Sequence, residues 1–141
     1  MNPVSATYAD TFEHTLDDKS RVAVPAEWRD EGYEQRVFVF PSKEGCLKAY
    51  PASWMASRQE SLAALPVGDP KRKNIEAAFS QAQKSVFDAQ GRMKLSERLI
   101  KFAGLGRHLV LAGAFDHFQI WDAERWKTNG RQQLVIEDLG L

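Results

Sequence analysis

The chain repeats itself, and the repeat limits what it can fold into. Leu16-Asp17-Asp18-Lys19-Ser20-Arg21-Val22-Ala23-Val24 aligns with Phe87-Asp88-Ala89-Gln90-Gly91-Arg92-Met93-Lys94-Leu95 at an offset of 71 residues. The same offset, with no gap, places Trp28 on Leu99, Arg36 on Arg107 and Phe38-Val39-Phe40 on Leu109-Val110-Leu111. It also places Leu47 on Phe118, Tyr50 on Trp121 and Ala52 on Ala123. Identities are few, yet the apolar positions and both Asp-x-x-x-Arg pairs stay in phase. A copy of ~65 residues made of short elements buries too little apolar surface to be comfortably stable alone. The two copies are therefore expected to share a core as one pseudo-two-fold unit rather than to fold as two beads. Strand edges would remain open and favour self-association.

Each copy reads in the same order. Residues near 8–16 predict a strand running into a turn at Asp17–Ser20, and Arg21–Val24 alternates as a short strand. Pro25-Ala26-Glu27-Trp28 opens a short helix, because proline suits a first helical turn and an early glutamate suits the helix dipole. Val37–Phe40 is a continuous apolar run of strand length, expected to be buried on both faces. A strand at Gly45–Tyr50 follows, and Pro51 starts a helix with Met55, Leu62 and Leu65 on one side. In the second copy the turn spans Asp88–Gly91, and Ser96 and Glu97 cap a helix ending near Gly104. His108–Ala112 is its buried strand, His117–Trp121 the next one, and Asp122 caps a terminal helix carrying Trp126. Between the copies, Leu65–Lys73 has the proline and glycine of a linker, and Asp69 then Pro70 begins a helix through Ile75 and Phe79.

Composition narrows the function classes. Nineteen basic and nineteen acidic residues cancel to a formal charge of zero. Bulk charge cannot hold such a chain on nucleic acid, so a local basic patch, multiplied by assembly, would have to do so. No apolar run approaches the ~20 residues of a membrane span, and the N-terminus lacks the order of a secretory signal. Neither membrane insertion nor export is expected. The single cysteine, Cys46, excludes an intrachain disulfide and a cysteine-cluster metal site, and suits a reducing cytoplasm.

Little points to catalysis, a metal or a cofactor. The histidines are His14, His108 and His117, with no Ser/His/Asp set, H-E-x-x-H motif or phosphate-binding glycine loop. Asp116 precedes His117, but neighbours along a strand point to opposite faces. An enzyme would need a pocket lined by His14 or His117 together with carboxylates. Cys46 reads as core, and Trp28, Trp54, Trp121 and Trp126 read as core packing rather than base-stacking platforms. Lys71-Arg72-Lys73 reads as a solvated helix start. The Asp-x-x-x-Arg pairs carry more information. In each, a carboxylate opens a tight turn and a guanidinium starts the strand that leaves it. One reading is a structural ion pair worth ~0–1 kcal/mol if exposed. The other is that the aspartate orients the arginine so that its planar fork meets phosphate or a guanine edge. Both can hold at once. Lys19 beside Arg21, and Lys94 two residues past Arg92 on the same strand face, add a local basic patch to each turn.

These residues resemble a known family. Leu16 through Arg29 is similar to the first signature of MraZ proteins, Asp88 through Leu95 to the second, and Phe115-Asp116-His117-Phe118-Gln119-Ile120-Trp121-Asp122 to a late one. The resemblance spans about residues 8–127. It implies a mainly β fold with short α-helices (α+β), built from tandem SpoVT/AbrB-type swapped-hairpin modules that form one pseudo-two-fold barrel unit. The modules would span residues 5–65 and 76–130, with a linker and helix start at 66–75 and a C-terminal tail at 131–141. It further implies a cytoplasmic, nucleoid-associated transcriptional regulator. Such a protein would assemble as a homo-oligomeric ring and bind double-stranded DNA at direct repeats upstream of the division and cell-wall gene cluster. No small-molecule substrate is implied. Carried over residue by residue, the DNA contact falls on Arg21 and Arg92, with Asp17 and Asp88 orienting them and Lys19 adding charge; Lys94 joins the candidates from its place beside Arg92. The alternative class is an oligomeric protein-interaction scaffold, or a toxin-neutralising AbrB-like module. Two residues depart from the family pattern: Ser20 replaces a glycine and Ser96 a proline. A positive φ at residue 20 would cost serine more than glycine.

Overall fold

The two halves lay down the same elements and then exchange strands. The computed structural model describes residues 6–130. The tail expected at 131–141 lies outside them. The first half forms β1 (Thr11–Thr15), β2 (Arg21–Ala23), a 3-10 turn (Ala26–Trp28), β3 (Arg36–Pro41), β4 (Leu47–Pro51) and α1 (Ala52–Ala63). Helix α2 (Pro70–Gln81) connects the halves. The second half forms β5 (Gln83–Val86), β6 (Arg92–Lys94), α3 (Glu97–Phe102), β7 (His108–Gly113), β8 (Phe118–Asp122) and α4 (Ala123–Arg125). A wider turn, Trp126–Gly130, continues α4.

Six strands make one antiparallel sheet in the order β1-β7-β8-β4-β3-β5, and β2 pairs with β6 as a separate ribbon. Replacing each strand by its counterpart in the other half reads the order backwards unchanged. The registers obey the same rule: Val22 faces Met93 at the centre of the ribbon, and Lys48 faces Gln119 at the centre of the sheet. Each half thus sends its first strand to the edge of the other half's third. The expected barrel unit does not take the form of a closed barrel: among the described residues no pairing joins the edge strands β1 and β5, and the sheet stays open.

The inner face of the sheet holds the core. Val37, Val39, Leu47, Ala49, Leu109, Leu111, Phe118 and Ile120 alternate inward along the four central strands and meet Val22, Met93, Trp28 and Leu99. Trp28 stacks on Phe118 at 5.0 Å between ring centroids, and its indole N–H donates to the Ala9 carbonyl at 3.1 Å. Cys46 is buried, and burial pushes its thiol up to about 11, as suits a core residue.

The outer face is covered unevenly. Phe38 and Phe40 are only half-buried, so β3 is not enclosed on both sides as its apolar run predicts. The roof over it is α1 and α2, neither of which buries a residue fully. Helix boundaries follow the capping chemistry. The Asp69 side chain accepts the Lys71 N–H at 2.8 Å, Ser96 that of Leu99 at 3.3 Å, and Asp122 those of Glu124 and Arg125. Leu65 falls beyond the end of α1. In the basic run, Arg72 donates to the Leu65 carbonyl at 2.8 Å and the Ala63 carbonyl at 3.3 Å. It therefore caps the end of α1 rather than standing free in solvent.

Trp28 joins the 3-10 turn to both halves of the core. Trp28→Ala is expected to cost about 3–5 kcal/mol, read by urea unfolding; a loss under about 1 kcal/mol would show that the halves do not share one core.

Candidate nucleic-acid interface

The β2–β6 ribbon has two faces, and its register decides what each displays. Val22 and Met93 point inward and are fully buried. The outward positions are Arg21 facing Lys94 and Ala23 facing Arg92. Three cations thus share four outward positions on two strands about 4.8 Å apart. Like charges directly opposite one another destabilise a sheet pair. Arg21 and Lys94 stand in that relation, so the ribbon holds them against their own repulsion.

The turns that enter the ribbon explain part of the tolerance. In the first, Asp17 Oδ1 accepts the backbone N–H of Lys19 at 2.9 Å and of Arg21 at 2.8 Å, while Oδ2 accepts Arg21 Nε at 2.9 Å. In the second, Asp88 Oδ1 accepts the N–H of Gln90 and of Arg92, each at 2.9 Å, and Oδ2 accepts Arg92 Nε at 3.0 Å. The wiring is the same in both halves. Short side chains that bond their own backbone two and four residues on are what closes such a turn. These backbone N–H donors, with the arginine beside them, hold both aspartates below the usual carboxylate range. Each arginine gives only Nε to its aspartate. Its terminal nitrogens donate to no group among the described residues, and both side chains remain about a quarter exposed.

All six sequence candidates therefore gather on this ribbon and its two turns. Lys19 and Lys94 are exposed, and Arg21 and Arg92 are partly buried. The arginine strand pairs with the other half, not with the strand before its own turn, so both tips are built by both copies. Ser20 does adopt the left-handed region, at φ 61°, like Gly91 at φ 77°. The Ser20 carbonyl accepts the Leu95 N–H at 2.9 Å, and the Gly91 carbonyl accepts the Val24 N–H at 2.9 Å. The first turn thus keeps the shape of the second at the strain cost serine carries.

Arg29 is a residue the sequence reading did not single out. Its Nε donates to the Val24 carbonyl at 2.8 Å, and its guanidinium lies over the second turn. The available signal was an arginine with no acidic residue four positions away.

The histidines do not form a catalytic set. Asp116 and His117 do meet, Oδ1 to Nδ1 at 2.9 Å, because Asp116 sits in the turn before β8 and the alternation of a strand does not bind it. His117 Nε2 lies 3.3 Å from the Gln119 side chain, not from a nucleophile, and burial is the main cause that lowers its pKa. His14 and His108 do line an open cleft with Glu13 and Glu124. Among the described residues neither histidine shares a side-chain hydrogen bond there, so no base is oriented. The described residues contain no cluster that could hold a metal ion. No described helix is long and apolar enough to cross a membrane.

A duplicated, strand-exchanged α+β protein with a cationic two-stranded ribbon between matched Asp–Arg turns is the class this fold defines. The family described as "MraZ protein, putative antitoxin-like" matches residues 7–73 and 78–134. Similar proteins include one from Roseiflexus sp. (strain RS-1), 34% identical over 83% of this chain and 82% of its own. One from Lactobacillus gasseri is 36% identical over 91% of this chain and 93% of its own. One from Acidithiobacillus ferrooxidans is 38% identical over 82% of this chain and 83% of its own. Each is named "Transcriptional regulator MraZ". The chain belongs to the MraZ family.

The carboxylates make the turns pH-sensitive in a defined sense. Both native values lie below the ordinary 3.8, so their contribution to stability is complete above 3.8 and is lost as pH falls through the native values. The melting-temperature gap between wild type and an Asp17→Asn/Asp88→Asn variant should be open near neutral pH and close as pH falls below 3.8 and through the native values. A gap of constant size would mean that shape, not charge, matters at these positions.

Proposed function

We propose that this protein is a DNA-binding transcriptional regulator whose contact surface is the β2–β6 ribbon and its two turns. One observation carries the reading. Each aspartate holds its arginine by Nε alone, which fixes the side chain and leaves the terminal pair of nitrogens without a hydrogen-bond partner among the described residues. That is the geometry a planar fork needs to meet a phosphate, or the O6/N7 edge of guanine in a major groove. The names of the relatives support the same reading.

The neutral total charge fits a binding surface confined to one face. Single-subunit affinity would be weak. A homo-oligomeric ring would repeat the patch at fixed spacing, so that a DNA segment carrying direct repeats engages several subunits and each further contact is effectively intramolecular. In this reading the modules are residues 5–65 and 76–130, related as halves of one barrel-like unit. The protein acts by binding rather than chemistry, in the cytoplasm at the nucleoid. Asp17 and Asp88 orient, Arg21 and Arg92 contact, and Lys19 and Lys94 add phosphate attraction.

An electrophoretic shift with the DNA immediately upstream of its own gene tests this. Arg92→Ala or Arg21→Ala should weaken binding about ten-fold or more while the protein stays folded and its oligomeric state is unchanged. Asp88→Ala should weaken it less than Arg92→Ala. Binding without sequence preference, or no shift at all, would favour the protein-interaction scaffold or toxin-neutralising module instead.

A further inference from the structure

The two turns share their wiring but not their surroundings. At Gly91 an added Cβ would sit 2.5 Å from the Arg29 Cζ and Nη1 and 2.6 Å from its Nε. The guanidinium therefore lies directly on the turn, one residue from Arg92. It is fixed there through Val24, whose carbonyl accepts Arg29 Nε at 2.8 Å and whose N–H donates to the Gly91 carbonyl at 2.9 Å. Glycine at 91 serves two ends, the positive φ and the room for this guanidinium. The counterpart of Arg29 in the second half is Ile100, which packs against the core. The first turn accordingly has no such cation, and its Ser20 carries a Cβ at a similar backbone angle.

Arg29 has one hydrogen bond, through Nε, among the described residues, and no acidic partner. It is half-buried, so its terminal nitrogens cannot be solvated as freely as those of an extended surface arginine. Donors held in that state favour an acceptor carrying charge. The neighbouring Arg92 fork also lacks a partner beyond Asp88. Asp88 offsets one of these two positive charges, which leaves the other for an acceptor outside the turn.

We infer that Arg29 is a third guanidinium of the DNA contact, binding a backbone phosphate beside Arg92. The inference rests on the DNA-binding reading above. It concerns phosphate and not bases, because Arg29 is anchored by Val24 over the turn rather than projected from the ribbon.

The salt dependence of DNA binding separates a phosphate contact from a structural prop. Each phosphate neutralised contributes about −0.9 to the slope of log K against log salt. Full-length Arg29→Gln should lose about 0.9 of that slope and bind several-fold more weakly at moderate salt. Arg29→Lys, which keeps the charge, should retain the wild-type slope. Arg29→Met repeats the test with a different uncharged stem if glutamine unfolds the turn. An uncharged variant that lowers the melting temperature but keeps the full slope would overturn the inference, leaving Arg29 as a turn support only. If wild type shows no salt-dependent binding, or Arg92→Ala matches it, the DNA-binding reading itself fails, and that outcome is distinct from a failure at Arg29 alone.

Discussion

Everything in this molecule depends on the pairing of β2 with β6. Each strand is three residues long, too short to be stable alone, and each offers one buried residue and two outward ones. Val22 against Met93 ties the ribbon to the shared core, while the same three-residue register sets Arg21, Arg92 and Lys94 outward. A slip of one residue would turn the cations inward and expose the apolar pair. The core therefore fixes the display. The turns are linked to it as well, because the Ser20 and Gly91 carbonyls each accept an N–H from the strand end of the opposite half. Folding and presentation of the candidate contact surface are one event.

Strand exchange gives this arrangement its economy. If β1 and β5 stayed with their own halves, the core would divide into two parts, each too small. With β1 on β7 and β5 on β3, neither half can complete its sheet without the other. Trp28 shows the result. It comes from the first half, packs on Phe118 of the second, and has Leu99 as its buried counterpart. The polar groups follow the same logic, since every helix longer than one turn in the second half of the chain opens on a side-chain cap within hydrogen-bond reach.

Much of this was legible in the residues. The offset of 71 fixes the order of elements, and the caps at Asp69, Ser96 and Asp122 fix three helix starts. The Asp-x-x-x-Arg spacing locates both turns, because a four-residue separation is what lets one carboxylate reach two backbone donors and the guanidinium. What was not legible depends on tertiary placement. No local signal says that β2 seeks β6 instead of β1, and none says that the sheet stays open. The apolar run at Val37–Phe40 looks the same whether its outer side meets a tight core or a loosely seated helix pair. Asp116 reaches His117 because the strand begins one residue later than alternation suggested. Arg29 went unnoticed because the turn its guanidinium lies over is more than sixty residues away in the chain.

Covalent fusion has a consequence that a pair of identical chains could not reach. In a homodimer any change appears twice, so its face looks the same from either direction. Here Arg21 meets Lys94 at one end of the ladder, while Ala23 meets Arg92 at the other, and one turn alone lies beneath Arg29. Such a face has a head and a tail. Laid against a polymer with its own polarity, the two possible orientations differ in energy. Duplication has thus turned a palindromic device into one that can point.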